Sequence, residues 1–483
     1  MWSAVSLIFN AIIGSSIFSA PSVILRSCGS VGITFVVWII GALVSAAGTA
    51  VFIELGTGLP TNGGDKTYLE YIYRRPAFMM SCVFASYGIF LRHIASAAVA
   101  FGEYMLHAVG FDPTDSNVRI VASLCIILCF VVHGVFPGVG VKLQDTLGLF
   151  KFGILVLIAV SGLFSLVGVP GFSVGQLYEQ PRNFTWSSFW EGSNISANAL
   201  INGIHFGIWS YVGYSNANFA LAEFRDPIRT IKHAAPFAVF LVTFVYIFVN
   251  IAFYAVVSKS DILNSRTITA ALFFRNLYGP ATEGILSALI ALSILGNMLA
   301  LSFARGLMIQ EFGREGILPY SSLVATNQPF HTPLPGFFIL CLVSVLTVLL
   351  TPVGDAYNFI VNSMAYSVAV VNLLISGGLL LLYSQPYQNY NWNPPYQAPM
   401  SIVMFFFISN VFLLIVPLIP PSPGYELYQH LPYYSHVVMA LFIGLLGVCY
   451  WFIYFKWIPG RNGYWLRHIR IDLPGVLVRY VGP

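Results

Sequence analysis

A chain of 483 residues in which 57% are hydrophobic and only 8% charged cannot clothe a water-facing surface, because soluble domains carry about a quarter charged residues. Its mean hydropathy of +0.79 places it among integral membrane proteins. A formal net charge of +4 without a basic block excludes the footprint of a nucleic-acid binder, and six scattered cysteines offer neither metal-ligand spacing nor a disulfide framework.

Roughly twelve apolar segments approach the length of about 20 residues that a helix needs to cross hydrocarbon. In chain order they are Met1 to Leu25, Val31 to Leu55, Phe78 to Val109, Val118 to Phe136, Val141 to Val167, Leu200 to Ala222, Pro236 to Val257, Ile285 to Leu307, Pro335 to Leu350, Ala356 to Tyr383, Ile402 to Ile419 and Val437 to Trp457. Pro352 and Asp355 either separate the ninth from the tenth or kink one span, so an odd count stays open. No cleavable signal peptide is evident, and Met1 to Phe9 already belongs to the first apolar segment. The polar amino-terminal tail usual in such proteins is absent from the sequence, as expected of a trimmed chain.

Basic residues set the expected orientation. With the amino end in the cytoplasm, the inside loops collect Lys66, Arg74, Arg75, Lys142, Arg225, Arg229, Lys232, Arg314 and the basic residues from Lys456 onward, and the outside loops hold fewer. The sequon Asn183-Phe184-Thr185 then falls in an outside loop, where glycosylation is an open alternative. Among the inside loops, Pro60 to Tyr71 reads as a turn with solvated charge in preference to a short interfacial helix. Ser384 to Pro399, rich in Pro, Asn and Tyr, reads as a polar linker before a terminal pair of spans.

Two stretches interrupt spans at mid-depth. Ile12-Ile13-Gly14-Ser15-Ser16-Ile17-Phe18 and Trp209-Ser210-Tyr211-Val212-Gly213-Tyr214-Ser215-Asn216 put small and polar residues inside apolar segments. Backbone groups released there are costly unless they line a cavity, and paired interruptions in two halves of a chain point to a transporter's substrate site. Buried ionisable residues are further candidates. Lys151 lies about ten residues into the fifth span, near the midplane at 1.5 Å per residue. Arg92 and His93 fall within the third span and are read as packing groups. Glu54 and Glu223, near inside ends, are candidates for a gate paired with Arg225 or Arg305, with plain interfacial charge as the alternative. His133 and His205 are read as ordinary hydrogen-bonded histidines.

These motifs carry a family resemblance. Gly14-Ser15-Ser16-Ile17-Phe18 resembles the Gly-Ser-Gly-Ile-Phe signature of the amino acid-polyamine-organocation superfamily, and Glu54-Leu55-Gly56 with Pro60, Gly63 and Gly64 resembles its second-span ending. Trp209 to Asn218 with Glu223 and Asp226-Pro227 resembles its sixth-span motif, and Gly296-Asn297 with Arg305 and Arg314-Glu315-Gly316 its eighth. Within the superfamily, Gly63 to Tyr71 and Tyr211 to Asn218 look most like fungal high-affinity methionine permeases, relatives of the L-type transporters.

The resemblance implies an all-α integral membrane fold of about twelve helices, a LeuT-like inverted five-helix repeat with broken first and sixth helices. It divides the chain into a transport core over 1–383 (repeats at about 1–168 and 200–383), a linker and terminal pair over 384–458, and a cytoplasmic tail over 459–483. It implies that N–H groups around Gly14, Ser15, Ser16 and Ile17 receive a substrate carboxylate. Carbonyls near Ile13, Trp209 and Val212, the last beside Gly213, would receive its ammonium. Ser16 replaces the second glycine of the signature, adding a side chain where the backbone approaches the ligand. Trp209 would be the aromatic gate, and Lys151 would stand where relatives bind a coupling sodium, as a structural cation or a proton carrier.

The expected function is import of neutral amino acids, methionine first, by proton symport through alternating access in the plasma membrane. The alternatives are an L-type exchanger and a nutrient receptor on the same fold. No HExxH, GxSxG or GxxxxGK pattern supports an enzyme, and no cofactor or metal is expected. Cysteine is missing from the loop Gly110 to Asn117 that carries the heavy-chain disulfide in L-type exchangers, so no disulfide-linked partner is expected.

Overall fold

The computed structural model describes residues 2–14, 16–61, 63–264, 269–351, 355–384, 392–420, 428, 430–462, 465–466 and 480–481. The first half of the chain contains α1 (Trp2–Ile12), α2 (Ser16–Cys28), α3 (Val31–Gly58), the short α4 (Asp65–Ile72), α5 (Met79–Phe90), α6 (Ala95–Ala108), α7 (Asp115–Val135) and α8 (Pro137–Val167). A loop with α9 (Trp186–Trp190) leads to the second half: α10 (Ala197–Ser210), a 3-10 segment at Asn216–Glu223, α11 (Pro227–Val256), α12 (Lys259–Asn264), α13 (Thr269–Tyr278), α14 (Pro280–Arg314), α15 (Ser321–Val324), α16 (Leu334–Leu350) and α17 (Ala356–Leu382). The terminal pair is α18 (Met400–Ile415) and α19 (Ser435–Trp451), followed by α20 (Ile458–Asn462) and a two-residue ladder of β1 (Trp465–Leu466) with β2 (Tyr480–Val481).

Nine of the described helices are long and apolar enough to span, and Leu334–Leu350 is a shorter apolar one. The first and sixth spans are each built from two pieces, so the described residues hold twelve crossings. Local signals set their ends. Pro137, Pro227 and Pro280 open α8, α11 and α14 in the first turn, where the missing N–H is harmless, and the Asp226 carboxylate caps α11 by accepting from Arg229 N at 3.1 Å. Gly168, in the left-handed conformation at φ 79°, stops α8.

The halves repeat one order of elements: a broken span, a long unbroken second span, then three more. Five spans per half is an odd number, so the second half enters from the opposite membrane face. Packing is reciprocal: α1 lies against α11, and α10 against α3. The terminal helices brace the outside of this core, α19 against α5 and α18 against α3.

The third span departs from the uninterrupted helix read over Phe78 to Val109. Its helix stops at Phe90 and resumes at Ala95. The released backbone is not wasted: the His93 carbonyl accepts from Arg305 Nη1 at 2.6 Å, and Arg92 reaches Asp65. The ninth and tenth spans are two separate helices.

Candidate functional site

The two interruptions lie side by side. In the first, α1 ends at Ile12 and α2 begins at Ser16, while Ser15 lies outside the described residues. In the second, α10 ends at Ser210 and tight turns carry the chain to Asn216, with Val212 N donating to the Trp209 carbonyl at 3.0 Å. Gly213 adopts φ +129°, and a Cβ on it would sit 2.9 to 3.0 Å from the Ala11 carbonyl atoms and 3.0 Å from Ile12 N. Only glycine permits that backbone and that approach.

Three side chains tie the breaks together. Lys151, the fifteenth residue of the 31-residue α8 and fully buried, donates from Nζ to the Ile13 carbonyl at 2.6 Å. Tyr246 Oη on α11 shares its proton between the Ser210 carbonyl at 2.8 Å and the Ile12 carbonyl at 3.1 Å. Asn297 Nδ2 on α14 donates to the Asn10 carbonyl at 3.3 Å. Each takes up a main-chain acceptor that an intact helix would have satisfied. Tyr246 was missed in the sequence because nothing distinguishes it from the aromatics around it.

A cavity of about 770 Å³ opens beside the breaks. Gly14, Ser16, Trp209, Val212 and Gly213 line it, whereas the side chains of Ile13 and Ile17 are fully buried and belong to the packed core. Near the breaks the wall mixes apolar groups, Leu301, Val361 and Met364, with uncharged polar ones, Ser96, Ser215, Asn216, Asn297 and Asn372.

At its other end the cavity is charged. Asp65 and Lys66, read from sequence as a solvated turn, are 2% and 7% exposed and begin a true helix, α4. Asp65 Oδ2 pairs with Arg92 Nη2 at 2.8 Å, and Lys66 Nζ bridges Glu70 at 2.7 Å and Glu315. The reason for the correction is tertiary: the end of α14 and the break in the third span bring Glu315 and Arg92 over the turn. Burial opposes the Lys66 charge, but the carboxylates of Glu315 and Glu70 outweigh it and hold the ammonium above its ordinary value. Burial raises the Glu315 carboxyl above the ordinary carboxylate range, although Lys66 offsets part of this.

Glu54 is not paired with Arg225 or Arg305. It is fully buried and takes three donors, Tyr383 Oη and Trp392 Nε1 (3.0 Å) on one oxygen and Ala398 N (2.8 Å) on the other, so it fastens the segment after α17 to the end of α3. Arg305 is committed to the His93 carbonyl. The Glu223 side chain lies outside the described residues. His133 and His205 are buried; the His133 ring faces the Leu299 backbone, and neither ring nitrogen of His205 has a hydrogen-bond partner among the described residues, contrary to the reading of His205 as a bonded histidine. His133 also packs against the rings of Phe303 and Phe337. The Asn183 amide is buried and donates to the Tyr254 and Val257 carbonyls, both at 2.8 Å, so in this fold the sequon asparagine is an internal tie.

A bundle of membrane-length helices, two facing breaks and a cavity lined by both fit a membrane carrier of small solutes. The family model described as amino acid permease matches residues 1–454, and the chain belongs to that family. It is 37% identical over 477 residues to the high-affinity methionine permease of Saccharomyces cerevisiae, covering 96% of this chain and 82% of that one. The low-affinity methionine permease of the same yeast is 27% identical over 466 residues (95% and 82%). The large neutral amino acids transporter small subunit 2 of Oryctolagus cuniculus is 29% identical over 390 residues (80% and 69%).

Proposed function

We propose that this permease imports neutral amino acids, methionine first, by proton symport through alternating access. The observation that carries the reading is the pairing of the two breaks beside one cavity, with the buried Lys151 ammonium on the Ile13 carbonyl. The zwitterion's carboxylate would meet the start of α2 around Gly14, Ser15, Ser16 and Ile17, and its ammonium the carbonyls at Trp209 and Val212. Ile13 O is occupied by Lys151, which makes Ile13 the weaker ammonium acceptor. Walls with no fixed charge near the breaks favour an uncharged substrate side chain.

In this reading a helical bundle within the core over 1–383 rocks to move the opening of the pocket from outside to inside, with the terminal pair over 384–458 beside it; the amino end is cytoplasmic, and the protein works in the plasma membrane without a disulfide-linked heavy chain. Trp209 covers the substrate on one side. On the other, the Lys66–Glu315 and Arg92–Asp65 pairs serve as the inner gate, with Glu223 as a further gate candidate, whereas Glu54 is committed to the segment after α17. The name of the methionine permeases supports the substrate, and that of the large neutral amino acid transporter subunit supports exchange as the second reading.

Uptake of labelled methionine into cells lacking their own permeases, at about pH 5 and about pH 7.5, tests this. Saturable uptake that rises at the lower pH and is blocked best by methionine is expected. Uptake indifferent to pH and dependent on preloaded amino acid makes the protein an exchanger, and binding without uptake makes it a receptor.

A further inference from the structure

At the end of the bundle opposite the Lys66 cluster lies a second, smaller pocket of about 30 Å³. Its position follows from the topology. His205 and Asn202 come from the first part of the sixth span, Asn362 from the start of the tenth, and His436 from the start of the twelfth, with Tyr433 from the loop just before it. The sixth, tenth and twelfth spans all start from one membrane face. The space holds about one water molecule.

Five of its lining side chains are polar, and two are imidazoles. His436 is 2% exposed and is tied down: Asn362 Nδ2 donates to Tyr428 Oη at 3.1 Å, and that hydroxyl shares a hydrogen bond with His436 Nδ1, also at 3.1 Å. His205 is different. It is 8% exposed, and neither ring nitrogen has a partner among the described residues. A buried imidazole offers one donor and one acceptor, and leaving both unmet is costly enough to call for a reason.

We infer that the pocket between His205 and His436 is a proton-binding site, with His205 taking the proton and the polar lining and a water sharing its charge. The inference deepens the proton-symport reading and rests on it for the link to transport. The surroundings suit a single titrating group. On the packed elements, the titratable neighbours are Cys28 of α2, whose thiol lies against Gly203, Tyr366 of α17, His436 of α19, and Tyr428 and Tyr433 between the terminal spans. The only titratable residue of α3 is Glu54, near its opposite end. A carboxylate, Asp355, lies behind Tyr428, where its Oδ2 accepts from His430 N and Leu431 N. The cation that these elements carry among the described residues, Arg26 of α2, is exposed and donates to the Leu263 carbonyl at 3.0 Å.

His205 lies four residues before Trp209 on α10, one turn and about 6 Å along the same helix face. A positive charge there acts on the half-helix itself, and α10 packs on the turn Val416–Leu418 at the end of the eleventh span. Proton binding at His205 therefore acts on the outer half of the broken span that carries Trp209.

The test is 15N NMR of histidine-labelled protein in lipid nanodiscs, titrated between about pH 5 and about pH 7.5, with His205 assigned from His205→Gln and His205→Asn. Methionine uptake across the same range is measured for the unaltered protein, His205→Gln and His436→Gln. The expected result is a His205 ring that titrates in this range, and a ratio of low-pH to high-pH uptake that falls from several-fold to about one in His205→Gln. A His205 ring that keeps one protonation state throughout, with an unaltered ratio in both variants, overturns the inference. Because the titration is made on the unaltered protein, a variant that fails to fold does not remove the test. A titrating His205 in a permease whose uptake ignores pH would keep the proton site and reject the symport reading instead.

Discussion

The Lys151 ammonium nitrogen stands 2.6 Å from the Ile13 carbonyl oxygen, with no acidic side chain paired to it among the described residues. A fully buried lysine nitrogen is thus held by the backbone of a broken helix. Lys151→Met keeps most of the volume but removes the donor, leaving the carbonyl unmet at a cost of about 1–3 kcal/mol. The expected outcome is a protein that still assembles, melts at lower temperature and has lost methionine uptake at every pH. Retained uptake with wild-type pH dependence would exclude Lys151 from both positioning and coupling.

Gly213 and Gly14 occupy the two breaks but tolerate a methyl group differently. At Gly213 the added carbon meets main-chain atoms of Ala11 and Ile12 and a φ of +129°, whereas at Gly14 it meets the tip of the Asn297 side chain at 3.2 Å. Backbone cannot yield as a side-chain amide can. Gly213→Ala should cost about 1–3 kcal/mol through strain and abolish saturable uptake. Gly14→Ala should leave stability nearly unchanged and raise KM. Equal effects in melting and uptake assays would contradict this ordering.

The legibility of these features in the sequence follows from how local their cause is. The breaks at Gly14 and Gly213 stand out because small residues interrupt apolar runs, and Lys151 because a charge at mid-span has few innocent explanations. The break at Arg92 was hidden: the run from Met79 to Ala108 stays apolar on both sides, and its release is stabilised by Asp65 and Arg305, which are distant in the chain. Lys66 looked solvated because Glu315, its partner, is far along the chain. Glu54 was assigned to the bases expected nearby, yet its partners lie 329 to 344 residues away. Polar residues in a membrane protein declare that they need partners; the sequence does not say which.

The inner cluster gives a prediction with a definite sign. Because the Lys66 pKa is raised while its carboxylate partners are ionised, its pairing stabilises the fold below the ordinary lysine value, is lost as pH rises through the higher folded value, and is lost in acid once Glu315 and Glu70 are protonated. Because burial also raises Glu315, ionising that carboxyl is the costly direction, and the stability it adds is present below the ordinary carboxylate value and lost as pH rises through the raised one. Lys66→Met strands the Glu315 charge. With the Glu315 side chain 20% exposed, the cost should be on the order of 2 kcal/mol, below that of a fully buried pair. Adding Glu315→Gln to Lys66→Met should restore most of the melting temperature at neutral pH, and acidification should partly rescue Lys66→Met alone. A double variant no more stable than Lys66→Met would show that Glu315 is not the stranded charge.

Glu54 is a buried carboxylate satisfied entirely by neutral donors. Tyr383, Trp392 and the Ala398 amide all point hydrogens at it, so Glu54→Gln replaces an acceptor by an amide N–H that faces a donor. Hydrogen bonds to a charged acceptor contribute about 1.5–3 kcal/mol each, and losing one or two should lower the melting temperature measurably. The effect should also reach the charged cluster, because the Trp392 ring packs against Tyr71 of α4 at 5.5 Å and Lys232 Nζ holds the Pro395 carbonyl at 2.9 Å. Limited proteolysis is the direct check: cleavage within Ser384 to Pro399 should be faster in Glu54→Gln than in the unaltered protein. Unchanged cleavage together with an unchanged melting temperature would mean that the segment is held without Glu54.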